Sequence, residues 1–523
     1  MDEEPRLEKI STLDKRVRAF DNGYRQNVAI IGNDSEELSY FFENYFTSNR
    51  LNTLTYIHTT TAYTGKQEFF KAIAFSILNS YTHKNDTLDN LINCINSSLP
   101  LTTEFIKDCL KKENLSFLDA IEVINKFINE TNRRCLFIIE EFLAAVELFE
   151  DFYQSFSKFI ILQRNCMIIL TTSSPKKAKR VLSSELNLLF GNFELASLND
   201  KSALDNFFYL KNLIEPVKPS PFFLSFFINI IGSNIIYYDI AAKFIKTSHQ
   251  PDDEVNTIIN VLQDMLYSKE SYFFQRFIKK IDILKANSRD FAPMIKLLFA
   301  LSKGYLRKKE LISLGIYSSK DINHKLQKLC DLNHIENLGN IYKIKDCLFS
   351  FWLTTVFKWY FTPPILNSQQ RRMLYRKRAE EEVAIFKEEF FQNKLQRILQ
   401  LFSSFKNDTL NLGKNCYRLP LIEKTKIISY PQKEFHLLVG EGKEIIFAGI
   451  KEREVDNADI FEFIEKGANI KGKRVKKIFV SLDNIPSTAR LIAKNNKLTI
   501  WDINDVNRLL NVYNKPILDT YLL

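Results

Sequence analysis

Asn27-Val28-Ala29-Ile30-Ile31-Gly32-Asn33-Asp34-Ser35-Glu36-Glu37-Leu38-Ser39 is the stretch on which the fold turns. Its first half is an apolar run of strand length. Its second half lies in frame with the phosphate-loop pattern G-x-x-x-x-G-K-[ST], with Gly32 and Ser39 in the outer positions. Such a loop works because glycines let backbone N–H groups close round phosphates while the lysine reaches the terminal oxygens. Here Glu37 stands in the second glycine's place and Leu38 in the lysine's, and Asp34, Glu36 and Glu37 set acids around the turn. A triphosphate would meet repulsion and no cation.

Outward from this stretch, Leu54–Ile57, Leu136–Ile139 and Met167–Leu170 are further short apolar runs. They are separated by helical periodicities such as Glu68–Leu78 and Phe117–Ile128. Apolar strands alternating with helices predict a parallel sheet covered on both faces. An α/β domain is therefore expected over 26–200, after an N-terminal helix over 1–25. The third run leads into Glu140-Glu141, where a phosphate-loop fold holds Mg²⁺ and polarises water. The fourth leads into Thr171-Thr172-Ser173-Ser174. The expected nucleotide-side residues are thus Gly32, Ser39, Glu140 and Thr172, with Glu141 a catalytic remnant beside Glu140. Hydroxyl residues after a strand also serve as turn formers and helix caps.

Helical pattern fills 201–285. Over 286–350 three helices (Pro293–Ser302, Arg307–Leu314, and one capped by Ser318 or Ser319 and running to Leu332) precede two short strands joined through Gly339-Asn340. This is the order of a winged helix-turn-helix. On its third helix Lys320, Asn323, His324, Gln327 and Lys328 share one face, while Ile322, Leu326 and Leu329 face inward. Arg307 and Lys308 add charge beside it. Amide and basic side chains are what base edges and phosphates require, so these seven polar residues are the DNA-contact candidates. Winged helices also serve as protein-interaction modules. A charged helical connector follows over 351–404, and four strands with two helices make a small α/β domain over 405–523.

Composition excludes several classes. The 523 residues are too many for one core. Seven dispersed cysteines form no C-x-x-C, so neither a zinc site nor a disulfide framework is expected, and a reducing cytoplasm fits. The acidic start Met1-Asp2-Glu3-Glu4-Pro5 is no signal peptide. Pro219–Tyr238 lacks charge, but its prolines, serines and glycine predict a buried helix pair rather than a membrane span. The net charge of +10 mildly favours an anionic partner.

In order of parts the chain resembles the archaeal-type AAA+/STAND P-loop ATPases that carry a winged helix and a C-terminal restriction-endonuclease-like domain. Three places carry the resemblance: the Gly32 loop with Glu140-Glu141; Ile231-Gly232-Ser233-Asn234-Ile235-Ile236-Tyr237-Tyr238, similar to the family's G-G-N-P-x-x-L lid motif with Ile235 for proline and no arginine nearby; and Tyr342-Lys343-Ile344-Lys345-Asp346-Cys347-Leu348-Phe349-Ser350-Phe351-Trp352, similar to its Y-x-I-x-D-P-L-x-R-F-W segment. The tail resembles a PD-(D/E)xK nuclease core in which His436 replaces an acid and Gly449 the glutamate, leaving Lys451 and Glu434. Too few oxygen ligands remain there for a hard cation. The resemblance implies a degenerate member: a DNA-associated or protein-binding module without ATP hydrolysis or nuclease activity, with no metal site, and partnered with DNA, another protein or an active homologue. Two alternatives stand beside it. One is an ATP-dependent DNA-binding switch holding ATP and Mg²⁺ by unusual contacts, with Lys66 as a source of charge. The other is a purely structural subunit.

Overall fold

A computed structural model describes residues 5–518 apart from 33, 60–64, 85, 185–192, 198–202, 251, 287–290, 316–320, 362–365, 413–414, 431–433, 443, 469, 471–474 and 484. The chain forms two compact units, Met1–Lys201 and Ser202–Leu523.

In the first unit β1 (Asn27–Ile31), β2 (Leu54–Thr59), β3 (Arg134–Ile139), β4 (Cys166–Thr172) and β5 (Phe193–Ser197) form one sheet in the order β2-β3-β4-β1-β5. All its pairings are parallel. β4 stands between the strand that leads to Gly32 and the strand that leads to Glu140, as an additional-strand P-loop fold requires. The period of two divides the strands between two cores. Ala29, Ile31, Ile57, Phe137, Ile139, Ile168 and Leu170 pack with helices Lys66–Thr82 and Phe117–Thr131. Val28, Ile30, Tyr56, Leu136, Ile138 and Ile169 pack with helix Ser35–Asn49 and with Leu13, Val17 and Phe20 of helix Pro5–Asp21. The outer edge of β2 is closed by two serines one helical turn apart. Tyr56 N–H donates to Ser80 Oγ at 3.0 Å, and His58 N–H to Ser76 Oγ at 2.8 Å. An open edge strand is thereby capped without another strand.

The second unit begins with helices Ala203–Leu213, Pro221–Ile231, Ile235–Ser248, Glu254–Leu266 and Tyr272–Ala286. The uncharged stretch is the expected helix pair, broken at Gly232 (φ +75°) and buried. Among the described residues no helix is long and apolar enough to cross a membrane. Helices Phe291–Ser302, Lys308–Ser313 and Asp321–Asp331 lead to the antiparallel pair β6 (Ile335–Asn337) and β7 (Tyr342–Ile344). The charged connector is two helices, Ser368–Phe390 and Lys394–Ser403. A hairpin of β8 (Asp408–Leu412) and β9 (Asn415–Leu419) precedes a sheet of β10 (Lys424–Tyr430), β11 (Phe435–Glu441), β12 (Ile445–Lys451), β13 (Val475–Ser481) and β14 (Thr499–Trp501), in that order. Its first two pairings are antiparallel and its last two parallel.

Candidate functional site

Gly32 leaves β1 with its N–H on the Thr172 carbonyl at 3.0 Å. Asp34, in extended conformation, caps helix Ser35–Asn49, and its Oδ1 accepts from Glu36 N–H at 3.0 Å and Glu37 N–H at 3.1 Å. Those are the orphan donors an anion takes at a helix N-terminus, and the chain's own carboxylate already holds them. Leu38 points inward. It is 1% exposed, and a Cβ built on Gly32 would meet its Cγ at 2.8 Å. The residue in the lysine's place has become part of the core that holds Val28, Ile30 and Phe42.

The sheet register brings the other expected residues to the same strand ends. Glu140 is buried, with Oε2 accepting from Ser39 Oγ at 2.6 Å and Oε1 facing His58 Nε2 at 2.6 Å. Glu141 adopts a left-handed backbone (φ +46°), and its carboxylate takes Ser173 N–H at 2.7 Å and Thr172 Oγ1 at 3.3 Å. Burial raises the Glu141 pKa against those bonds. His58 escaped the sequence reading. A lone imidazole near the end of an apolar strand is its only signal, and the spacing to Glu140 appears only once β2 and β3 pair.

This set does not fit a magnesium nucleotide. Mg²⁺ asks for near-octahedral oxygen ligation, whereas Ser39 and Glu140 bond to each other and an imidazole takes the second carboxylate oxygen. No cluster of three or more metal-binding side chains occurs among the described residues. Lys66 Nζ donates to Asn114 Oδ1 at 3.0 Å. A cavity of ≈ 370 Å³ opens beside His58, with Arg50 and His83 on its wall. Both residues are helix C-caps, Arg50 of Ser35–Asn49 and His83 of Lys66–Thr82.

In the second unit the two other motif segments meet. Tyr237 Oη donates to Asp346 Oδ2 at 2.7 Å, and Lys280 Nζ lies 2.5 Å from the same oxygen. Asp346 caps helix Cys347–Trp352 through Phe349 N–H at 2.9 Å, and Lys280 beside it holds its carboxyl below the ordinary range despite burial. An arginine does lie beside the lid-like segment: Arg276 Nε donates to Tyr237 Oη at 2.9 Å and is itself buried.

Of the DNA-contact candidates, Asn323, His324 and Gln327 are exposed on helix Asp321–Asp331, with Lys328 and Lys308 half-exposed. Ile322, Leu326 and Leu329 point into the core. Lys320 lies outside the described residues. Arg307 is largely withdrawn from the surface. Its guanidinium, 12% exposed, clasps Asp408 through Nε and Nη2 at 2.7 Å each, and also bonds Glu310. The hairpin tip is likewise committed. Asn340 N–H donates to the Thr409 carbonyl at 3.1 Å, and Asn411 N–H to the Leu338 carbonyl at 2.8 Å. Gly339, at φ +116°, lies so close that a Cβ would stand 2.1 Å from the Thr409 oxygen.

In the tail, Lys451 pairs with Asp459 at 3.0 Å. His436 bonds Ser429 Oγ at 2.9 Å, and Glu434 pairs with Arg453 at 2.6 Å. A Cβ on Gly449 would stand 2.7 Å from the Phe463 ring, which stacks on Phe447 with centroids 4.7 Å apart. That ring leaves no room for a side chain at Gly449. Of the basic residues before β13 and at its start, Lys466 pairs with Glu462 and Lys476 is half-buried, while Lys471, Lys473 and Arg474 lie outside the described residues.

No family model matches this sequence, and no curated protein matches it. Among solved structures the chain is similar to a Walker-type ATPase of Pyrococcus abyssi, at TM-score 0.47 and 14% identity over 68% of this chain and 96% of that one. It is similar to the Aeropyrum pernix ORC2 protein in its ADPNP–ADP complexes, at TM-score 0.42 and 9% identity over 73% and 96%. It is also similar to the Aeropyrum pernix ORC1 protein in complex with DNA, at TM-score 0.33 and 11% identity over 68% and 93%.

Proposed function

We propose that this chain is a P-loop-type ATPase scaffold, of the AAA+/STAND kind its sequence resembles, that has lost nucleotide hydrolysis and serves as a DNA-associated module with a protein partner. The carrying observation is the Gly32 turn. Leu38 packs onto Gly32, and the Asp34 carboxylate holds the two N–H groups a phosphate would need. The module over 286–350 is read as a winged helix that contacts DNA through its third helix alone. Asn323, His324 and Gln327 are exposed there, whereas Arg307 and the hairpin tip are held by β8 and its approaches. The tail is read as a nuclease-like domain without nuclease chemistry, because the Phe463 ring leaves no room for a side chain at Gly449.

The test joins two titrations of the full chain. Fluorescence anisotropy with labelled duplex DNA at ~50 mM salt should show binding that Mg-ATP leaves unchanged. Alanine at Asn323, His324 and Gln327 together should weaken that binding by ~10-fold or more, since each good base contact is worth ~1–3 kcal/mol. Fluorescent ATP with Mg²⁺ should show no saturable binding. Micromolar ATP binding abolished by Ser39→Ala or Glu140→Gln would overturn the first half. DNA retention unmoved by the triple variant would overturn the second.

A further inference from the structure

The sheet of the second unit has β10 at one edge. β10 pairs with β11 along its whole length, Lys424 opposite Glu441 through Tyr430 opposite Phe435. Its other edge pairs with no strand among the described residues. Six of its seven residues are exposed and Tyr430 is half-buried. Ile427 is 42% exposed and Ile428 53% exposed, on opposite faces of the strand. The sheet's other edge, β14, is only three residues long. A long strand with an open edge and unburied β-branched residues is a template for strand addition; proteins blunt such edges with charged side chains, bulges, prolines or a cover, and of these the strand carries two lysines. The seven residues Lys424–Tyr430 contain no proline, and the continuous register shows no bulge.

Charge decides what fits. The strand carries Lys424 and Lys426 but no acid, and the Lys426 ammonium pairs with Glu441 of the neighbouring strand at 3.3 Å. Two copies laid antiparallel about Ile427 would place Lys424 opposite Tyr430, Thr425 opposite Ser429, Lys426 opposite Ile428, and Ile427 opposite itself. No lysine then opposes a lysine, the ammonium of Lys424 meets an aromatic ring, and hydroxyls face each other. All are favourable cross-strand pairs. Moving the centre to Lys426 sets Lys426 against Lys426, and moving it to Thr425 sets Lys424 against Lys426, so both slips are disfavoured. Centring on Ile428 also keeps the lysines apart, with Lys426 opposite Tyr430, but it sets Ile427 against Ser429 and leaves Lys424 and Thr425 unpaired within the strand, so the Ile427 register is the one that pairs all seven residues.

We propose that β10 is a homodimer interface, through which two copies of this chain join their C-terminal sheets into one ten-stranded sheet about an axis at Ile427. Paired strands alone bury less than the ~1,200–2,000 Å² of a tight interface, so the dimer is concentration-dependent.

Sedimentation velocity on the full chain, from ~1 to ~200 μM, should show a shift from 61.3 kDa to twice that mass. Ser429→Pro, which removes a backbone donor and stiffens the strand, and Ile428→Lys, which sets like charges opposite each other, should each hold the protein at the lower mass with unchanged circular dichroism. The register is read by oxidation in a background with Cys94 and Cys416 changed to serine. Ile427→Cys lies at the axis, ~4.5–5.5 Å from its copy and within disulfide reach. It should cross-link at least ~10-fold faster than Lys424→Cys, whose partner is Tyr430. A monomer throughout the range overturns the proposal. So does a dimer that both strand variants leave intact, or equal cross-linking at the two cysteines.

Discussion

Leu38→Lys restores the one residue whose absence most marks the Gly32 turn, and it should harm the protein without returning nucleotide. Leu38 is 1% exposed, and its side chain stands within 2.8–3.1 Å of where a Cβ on Gly32 would lie. Deleting a leucine in such a place costs ~2–5 kcal/mol. Lysine keeps an aliphatic stem but brings an ammonium into a core lined by Val28, Ile30 and Phe42, where an unpaired polar group costs a further share. A net loss of about 3 kcal/mol follows, against a typical domain stability of about 5–15 kcal/mol. For a unit near 200 residues that is a fall in Tm of about 6–12 °C. Differential scanning calorimetry of the full chain measures it, with Leu38→Ala marking which transition belongs to the first unit. Leu38→Met, of similar volume, should cost under ~1.5 kcal/mol. Fluorescent ATP with Mg²⁺ should remain unbound, because Asp34 still holds the Glu36 and Glu37 N–H groups. A Leu38→Lys protein that melts with the parent, or that binds Mg-ATP in the micromolar range, would refute the reading of Leu38 as a plug.

Asp34→Ala removes the helix cap and should lower stability by ~1 kcal/mol, seen as a small fall in the same calorimetric transition. Asp408→Asn leaves the Arg307 guanidinium without its buried partner and should cost ~3–5 kcal/mol by urea denaturation of the second unit. Gly449→Glu combined with His436→Asp rebuilds the nuclease pattern in sequence, yet plasmid incubated with Mg²⁺ should stay uncut, because the new side chain collides with Phe463. His334 is pushed down to about 4 by burial, with Lys280 adding to the effect. Between pH 7 and 4 the unfolded chain therefore takes up a proton that the folded chain refuses, and stability falls with pH by about 3 kcal/mol. Urea melts across that range should show the fall, and His334→Gln should remove it.

The strands β1 to β4 of the first unit were legible because each is almost wholly buried and reads as a largely apolar run. Val28–Ile31 and Met167–Leu170 lie within β1 and β4. β5, Phe-Glu-Leu-Ala-Ser, was not legible: it is short and mixed in polarity. β10 was missed for the opposite reason to a buried strand, since Lys-Thr-Lys-Ile-Ile-Ser-Tyr has no core face to impose an alternation. At the site, Gly32, Ser39 and Glu140 are visible through a motif frame, but His58 joins them only through strand pairing 82 residues away in sequence. Arg307 misled because a lone arginine before a basic helix reads as surface charge. Nothing in its local sequence announces Asp408, 101 residues on.

A site that merely lacks its ligand keeps the marks of one: open donors, an unpaired acid, a void where the substrate goes. At the Gly32 turn each mark has been answered from within the chain. Asp34 satisfies the helix donors, Leu38 fills the space over Gly32, and Ser39 with His58 satisfies both oxygens of Glu140. In the tail Phe463 packs against Gly449, and Asp459 pairs with Lys451. Buried polar groups must find partners, and once they find them locally a ligand has to break those bonds before it gains any of its own. Glu140 shows the cost most directly. To bind a metal it must leave a hydroxyl and an imidazole at 2.6 Å each. That competition, more than the missing lysine alone, is why a single substitution is not expected to return the chemistry.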